Sequence, residues 1–128
     1  MRINEKKLAA ILALPGAKRY SHFVKVVADQ NCVWGLYHHG WALMATDSGE
    51  EVFPVWPAEE YARLAATGDW QSYAPKRISM DSFLHELLPS LRESKTLLGV
   101  FPASQDSATT PTLEQVEDDV REELSRIE

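Results

Sequence analysis

Aromatic side chains are the main candidates for binding chemistry in this chain. Its 128 residues include four tryptophans, three in apolar runs typical of strands and one in the loop that follows. An indole ring combines a large apolar face with an N–H donor, and it is favoured at binding surfaces. If the strands form a meander, these rings can make one wall with tyrosines beside it. The candidate binding residues are Trp34, Trp41, Trp56, Tyr61, Trp70 and Tyr73.

Three roles are open for this aromatic wall. It can be a groove for a protein partner, a pocket for a small ligand or substrate with Asp69 or His39 as its polar group, or simply part of the core. A filled core beside a flat exposed patch favours the protein partner. A concave, partly empty pocket with convergent polar groups favours the ligand.

Reactive side chains are few. Cys32 opens an apolar run without a cationic neighbour, which favours a buried thiol over a nucleophile. His38 and His39 are adjacent at a predicted turn, where neighbouring side chains point apart, and no third ligand follows at a metal-binding spacing. His22 and His85 stand alone on predicted helices. We therefore expect no metal site and no cofactor.

Paired carboxylates occur twice, at Glu50-Glu51 and at Glu59-Glu60. Acid–base catalysis needs two carboxyl groups facing one cavity, whereas a turn and an exposed first helical turn are the favoured explanations of these positions. The chain contains no phosphate-binding glycine loop, no nucleophile elbow and no His-x-x-x-His helix. A non-catalytic protein is favoured, with an enzyme as the alternative.

Composition and charge narrow the function classes. With 45% hydrophobic and 25% charged residues, the chain has the make-up of one globular domain. The net charge is −6, and residues 112–128 hold seven acidic against two basic residues, which argues against nucleic-acid binding. No long apolar stretch suits a signal peptide or membrane helix, and a single cysteine suits a reducing compartment. We expect a cytoplasmic protein without nucleic-acid or membrane partners.

The first part of the chain, about residues 1–29, is predicted to be helical. Asn4 can cap a first helix that ends before Pro15-Gly16, and apolar residues at helical spacing predict a second helix over Ala17–Asp29. This second helix has one apolar face, as expected of a helix that packs on a sheet.

A sheet-containing core is predicted over about residues 30–102. Cys32–Tyr37 and Trp41–Thr46 are apolar runs separated by a turn, which predicts a β-hairpin. Val52–Trp56 is a third strand, and Pro54 predicts an edge position or a bulge there. Leu97–Pro102 is predicted to be the fourth strand.

Helices and a loop connect these strands. A helix follows Pro57 and can end at Gly68, and Asp69–Lys76 is predicted to be an ordered loop. Ser79 can cap a further helix, which Pro89 is expected to bend or end early.

The chain ends with a predicted loop at about 103–111 and an acidic helix at about 112–128. Thr112–Gln115 has the pattern of a capping box. The apolar stripe of this helix can pack on the body or pair with a second copy to form a homo-oligomer. The stripe comprises Leu113, Val116, Val120, Leu124 and Ile127. Together these elements predict a single α+β domain: a small, mainly antiparallel sheet of about four strands packed by helices.

Several short motifs resemble those of a known family. They are Val33-Trp34-Gly35-Leu36, Gly40-Trp41-Ala42-Leu43, Phe53-Pro54-Val55-Trp56-Pro57, Gly68-Asp69-Trp70 and Val100-Phe101-Pro102. In this combination, over about Ala17 to Glu128, the chain resembles a family of small bacterial proteins classified as domain of unknown function number twenty-seven fifty. The resemblance implies a bacterial cytosolic α+β domain and brings no activity, cofactor or catalytic residue with it.

The sequence therefore supports two functional hypotheses. The first is a non-catalytic bacterial protein-interaction module, regulatory or immunity-like. The alternative is a small-ligand binder or enzyme with a pocket lined by Trp34, Trp41, Trp56 and Trp70.

Overall fold

The computed structural model describes residues 10, 14–104 and 107–127 of the chain. The helix predicted from Asn4 lies almost entirely outside the described residues. The helices are α1 (Gly16–Gln30), α2 (Glu59–Ala65), α3 and α4 (Leu113–Ile127), with a 3-10 turn at Gly68–Trp70. Helix α3 consists of α-helical Met80–Ser82, a π-helical turn at Phe83–Leu87 and α-helical Leu88–Ser94.

Six strands form two small sheets within the described part of the chain. The strands are β1 (Cys32–Tyr37), β2 (Met44–Ala45), β3 (Glu51–Val55), β4 (Ala74–Ser79), β5 (Leu97–Ser104) and β6 (Ser107–Thr109). One sheet is the antiparallel pair β1-β4, and the other has the order β2-β3-β5-β6, in which only the central β3-β5 pair is parallel. Trp34 and Trp56 exchange backbone hydrogen bonds of 2.9 and 2.8 Å between the two sheets. The predicted single α+β fold with mainly antiparallel strands is confirmed.

The predicted hairpin between Cys32–Tyr37 and Trp41–Thr46 is wrong. Strand β1 pairs along its whole length with β4, and the second half of the expected hairpin meets β1 only at a bridge between Tyr37 and Trp41. Its last residues, Met44–Ala45, pair with β3 instead. A turn between two apolar runs does not by itself decide which strands pair. Here the strand that pairs with β1 comes from later in the chain.

The loop predicted over Asp69–Lys76 is wrong in its last three residues, which belong to strand β4. Ala74–Ser79 is extended and antiparallel to β1, with only Ile78 buried among its six residues. A strand that faces solvent over most of its length lacks the apolar run that reveals buried strands.

Pro54 lies on the inner strand β3, although proline has no N–H to donate to a neighbouring strand. Its nitrogen points to an edge where no strand is paired at this position. Two residues later the N–H of Trp56 points to Trp34, away from β5. Because alternate residues of a strand direct their N–H groups to the same edge, Pro54 faces this edge too, beyond the end of β2.

Helix α3 begins as predicted but does not end early. The hydroxyl of Ser79 accepts a 3.1 Å hydrogen bond from the N–H of Ser82. Pro89 follows the π-helical turn, in which the N–H of Leu88 bonds to the carbonyl of Phe83. The wider turn accommodates the proline ring, which an uninterrupted α-helix would force against the carbonyl four residues earlier.

The predicted loop at about 103–111 contains strand β6. Strand β5 continues to Ser104, and its pairing with β6 is irregular between Val100 and Ser104. Within this irregular stretch Phe101 has a φ of 49°, a left-handed conformation that is rare for a bulky residue.

Helix α4 packs its apolar stripe on the body of the protein. The hydroxyl of Thr112 caps it by accepting from the N–H of Gln115 at 3.1 Å. Val116 and Val120 are fully buried, and the hydroxyl of Tyr20 on α1 donates to Asp119 at 2.6 Å. The middle of the stripe is therefore already covered by this chain.

Candidate functional site

An open groove of about 530 Å³ lies between α3 and one face of the four-stranded sheet. Glu51 and Phe53 share this face, because alternate residues of β3 point the same way. Helix α3 packs on β5 and leaves the β2 side of the face uncovered. The apolar lining consists of Trp41, Leu43, Phe53, Ile78, Leu87 and Leu91.

Trp41 is the best-anchored side chain at the mouth of the groove. Its ring lies 5.2 Å from the ring of Tyr37 and 5.5 Å from that of Phe53, measured between centroids. It also covers Gly35: a Cβ atom there would lie 2.9 Å from Cζ3 of Trp41. Two of the sequence motifs thus meet physically, since the glycine of Trp-Gly-Leu makes room for the tryptophan of Gly-Trp-Ala-Leu.

Leucine side chains leave apolar surface open to solvent in the groove. Leu43 is 44% exposed and Leu87 is half-buried, while Phe53 and Leu91 beneath them are buried. A contiguous apolar surface on a folded domain is typical of an interaction site.

Polar residues border the groove on both walls. They are Glu51, Ser82, Glu86, Ser90, Ser94 and Thr96. Four of them recur every four residues along α3 and form one stripe on the helix wall. On the opposite side, the hydroxyl of Thr96 donates to Oε1 of Glu51 at 3.2 Å and lies 2.9 Å from the hydroxyl of Ser94.

A second group of aromatic side chains is buried in the core. Trp56 is 0% and Trp70 6% exposed, and their rings meet edge to face at 6.0 Å. The indole N–H of Trp56 donates to the carbonyl of Pro102 at 3.1 Å. These two tryptophans belong to the core, where they fix the irregular end of β5.

Tyr61 lies in the same filled region. Its ring is 4.7 Å from that of Phe101, and its buried hydroxyl has no hydrogen-bond partner among the described residues. Burial raises the pKa of this phenol, with a smaller contribution from the negative charge of Glu60. The hydroxyl does not line the groove and offers no chemistry there.

The remaining predicted binding residues lie away from the groove. Trp34 is half-buried. Because neighbouring residues of a strand point to opposite faces, Trp34 points away from the face of β1 on which Gly35 contacts Trp41. Tyr73 is half-buried, with its ring 5.6 Å from that of His38. The four tryptophans therefore do not form one wall, and of the six candidates Trp41 alone lines the groove.

The proposed polar partners and reactive residues also lie outside it. Asp69 and His39 are exposed and absent from the groove lining. Cys32 is a buried free thiol. The rings of His38 and His39 are 4.5 Å apart rather than pointing apart, because His39 has a φ of 57° and turns the chain. The described residues contain no group of three or more potential metal ligands.

The sequence prediction missed the helix wall of the groove. The apolar stripe of α3 predicts the helix but not its polar face, on which Ser82, Glu86, Ser90 and Ser94 recur at helical spacing. That repeat is the signal that could have found them. Glu51 was noted only as a turn residue, because its position opposite α3 depends on the parallel pairing of β3 with β5.

Fold and groove together define a small α+β domain with an aromatic-lined groove on one sheet face. A family model described as a protein of unknown function, DUF2750, matches residues 20–120, and the chain belongs to that family. Searches of curated proteins and of solved structures found no match. Among the described helices, none has the length and apolarity needed to span a membrane.

Proposed function

We propose that the protein is a non-catalytic interaction module, regulatory or immunity-like, that binds a peptide segment of a protein partner in the groove. The observation that carries this proposal is the open apolar lining formed by Trp41, Leu43 and Leu87 around about 530 Å³. The proposal includes a bacterial cytoplasmic location, in which the free thiol of Cys32 stays reduced.

The shape of the groove supports a peptide segment. One wall is a helix and the floor is a sheet, an arrangement in which partners dock through apolar side chains at regular spacing. Strand β2 is the outermost strand beside the groove, and within the described residues its outer edge has no strand partner. A bound segment can therefore extend past the groove at this edge without meeting another strand.

A small ligand in the same groove is the second candidate. About 530 Å³ lies within the range of roughly 300–1,000 Å³ found for small-molecule sites. Two carboxylates, Glu51 and Glu86, border it, so a ligand would meet polar groups as well as rings. Native mass spectrometry of the protein purified from its own host would show a bound small mass in this case.

The peptide proposal is tested with two matched leucine variants. Leu43 in the groove is 44% exposed and Leu64 on α2 is 51% exposed, so an aspartate at either position should leave folding intact. Peptides selected from a random library on the wild-type chain should bind Leu43→Asp at least about tenfold more weakly, because an apolar contact is lost.

The Leu64→Asp control should keep wild-type affinity. Equal affinity of both variants for the selected peptides would place the binding surface elsewhere. Failure of the wild-type chain to select any peptide would contradict the proposed function.

A further inference from the structure

The groove has a one-sided charge. Its lining contains Glu51 and Glu86 together with four hydroxyl groups, and no lysine, arginine or histidine is among the described lining residues. Several acidic residues of α4 have basic neighbours: Glu117, for example, lies 3.0 Å from Arg121 and 3.8 Å from Arg92. Neither groove glutamate forms an ion pair with a described residue, so the negative charge of the lining is not neutralised within the groove.

Glu51 is held in position but keeps acceptor capacity. Thr96 donates to one carboxylate oxygen, and Ser94 lies within hydrogen-bond distance of Thr96. No described residue donates a hydrogen bond to the other oxygen. A carboxylate oriented in this way loses little side-chain freedom when a partner's cation binds it.

A lysine of this chain lies beside the aromatic rings at one end of the groove. Nζ of Lys76 lies 4.0 Å from the ring centre of Tyr37 and 5.4 Å from that of Trp41. Lys76 is not among the lining residues, so this contact leaves the groove itself free. Cationic side chains and aromatic faces attract each other at such distances.

We infer that the occupant of the groove is a cationic amphipathic peptide segment. Its apolar side chains would pack on Trp41 and Leu87, and its lysine or arginine side chains would reach Glu51 and Glu86. The inference rests on the proposed function and adds the chemistry of the partner. Charge complementarity also argues against a second copy's α4 as the occupant, since that helix is itself acidic.

The test uses three synthetic peptides that differ only in charge: a Leu-Lys-Lys-Leu repeat, the same repeat with glutamine for lysine, and the same repeat with glutamate for lysine. Affinities for the full chain are measured by calorimetry at low and at high salt. The lysine peptide should bind most tightly and the glutamate peptide most weakly, and added salt should reduce the difference.

Two glutamates of α3 provide the matched variants. Glu86→Gln should weaken the lysine peptide by about threefold, the size of one exposed ion pair, while Glu93→Gln on the same helix but outside the lining should have no effect. Glu51→Gln together with Glu86→Gln should weaken it by about tenfold.

The possible results distinguish the cationic partner from the peptide-binding groove on which it depends. Equal binding of the lysine and glutamine peptides, both abolished by Leu43→Asp, would overturn the cationic partner and leave the groove proposal standing. Binding of the lysine peptide that the uncharged variant Leu43→Ser leaves unchanged would show attraction to the acidic surface in general, and it would overturn both.

Discussion

Two aromatic regions of this protein contain the same residue types and differ in what covers them. Around Trp56, tryptophan, tyrosine and phenylalanine rings pack against one another and all are buried. Around Trp41, rings of the same kind form the wall of an open groove. The difference follows the strand pairing. Trp56 bonds to Trp34 of the other sheet just beyond the end of β3, whereas the groove borders the short edge strand β2.

The role of each tryptophan in this protein is set by the strands beside it. Trp56 is joined to both sheets, through backbone bonds to Trp34 and an indole bond to Pro102. Trp41 packs against Gly35, Tyr37 and Phe53 but stays half-buried at the groove. Stability should therefore depend on the filled region and binding on the open one.

The largest effect is expected from Trp56→Ala. Removing a fully buried indole should lower the free energy of unfolding by about 4 kcal/mol, a large part of the total for a domain of this size. Urea denaturation measures the loss, and Trp56→Phe serves as a milder variant if the alanine variant does not fold. Trp41→Ala should cost about 2 kcal/mol or less and should abolish peptide binding. Equal losses of stability would remove the distinction between the regions.

A smaller effect is expected from Gly35→Ala. The added methyl group would lie 2.9 Å from Cζ3 of Trp41, so the ring must move toward the groove, at a cost of about 1 kcal/mol. Gly40→Ala is the matched control, because nothing lies within 4 Å of the Cβ position there. We expect weaker peptide binding for the first variant and wild-type binding for the second. Unchanged binding of Gly35→Ala would mean that the ring position of Trp41 is irrelevant.

The smallest effect at neutral pH is expected from Tyr20→Phe, which belongs to the filled side where α1 meets α4. It should cost about 0.5 kcal/mol through loss of the part-buried hydrogen bond to Asp119. Burial raises the pKa of Tyr20 above its ordinary value, and the bond to Asp119 and its negative charge raise it further.

The raised pKa gives this contact a pH signature. Above about pH 10 the unfolded chain releases the Tyr20 proton while the folded chain retains it, so stability falls as the pH rises. Denaturation at neutral and alkaline pH should show a shallower alkaline loss for Tyr20→Phe than for wild type. Identical slopes would contradict the burial of this hydroxyl contact.

Local signals in the sequence predicted the helices better than the strand pairing. The caps at Ser79 and Thr112 and the span of α1 depend on residues a few positions apart, and the structure confirms them. Strand β4 was missed because only Ile78 of its residues is buried.

The candidate site was harder to predict for the same physical reason. Trp41 and Trp56 both stand in apolar runs, and their different burial follows from contacts between β1 and β4 and between β3 and β5. Glu51 faces α3 only once these distant segments have paired. A single sequence contains the residues of the groove but not the pairing that brings them together.

The central claim is that Trp41 binds a partner while the buried tryptophans hold the fold. Titrating the lysine peptide into the labelled full chain and following the four indole N–H signals by NMR tests it most directly. We predict that the Trp41 signal shifts with peptide concentration and that the Trp56 and Trp70 signals stay in place. A shift of the Trp56 or Trp70 signal while that of Trp41 stays fixed would contradict the account.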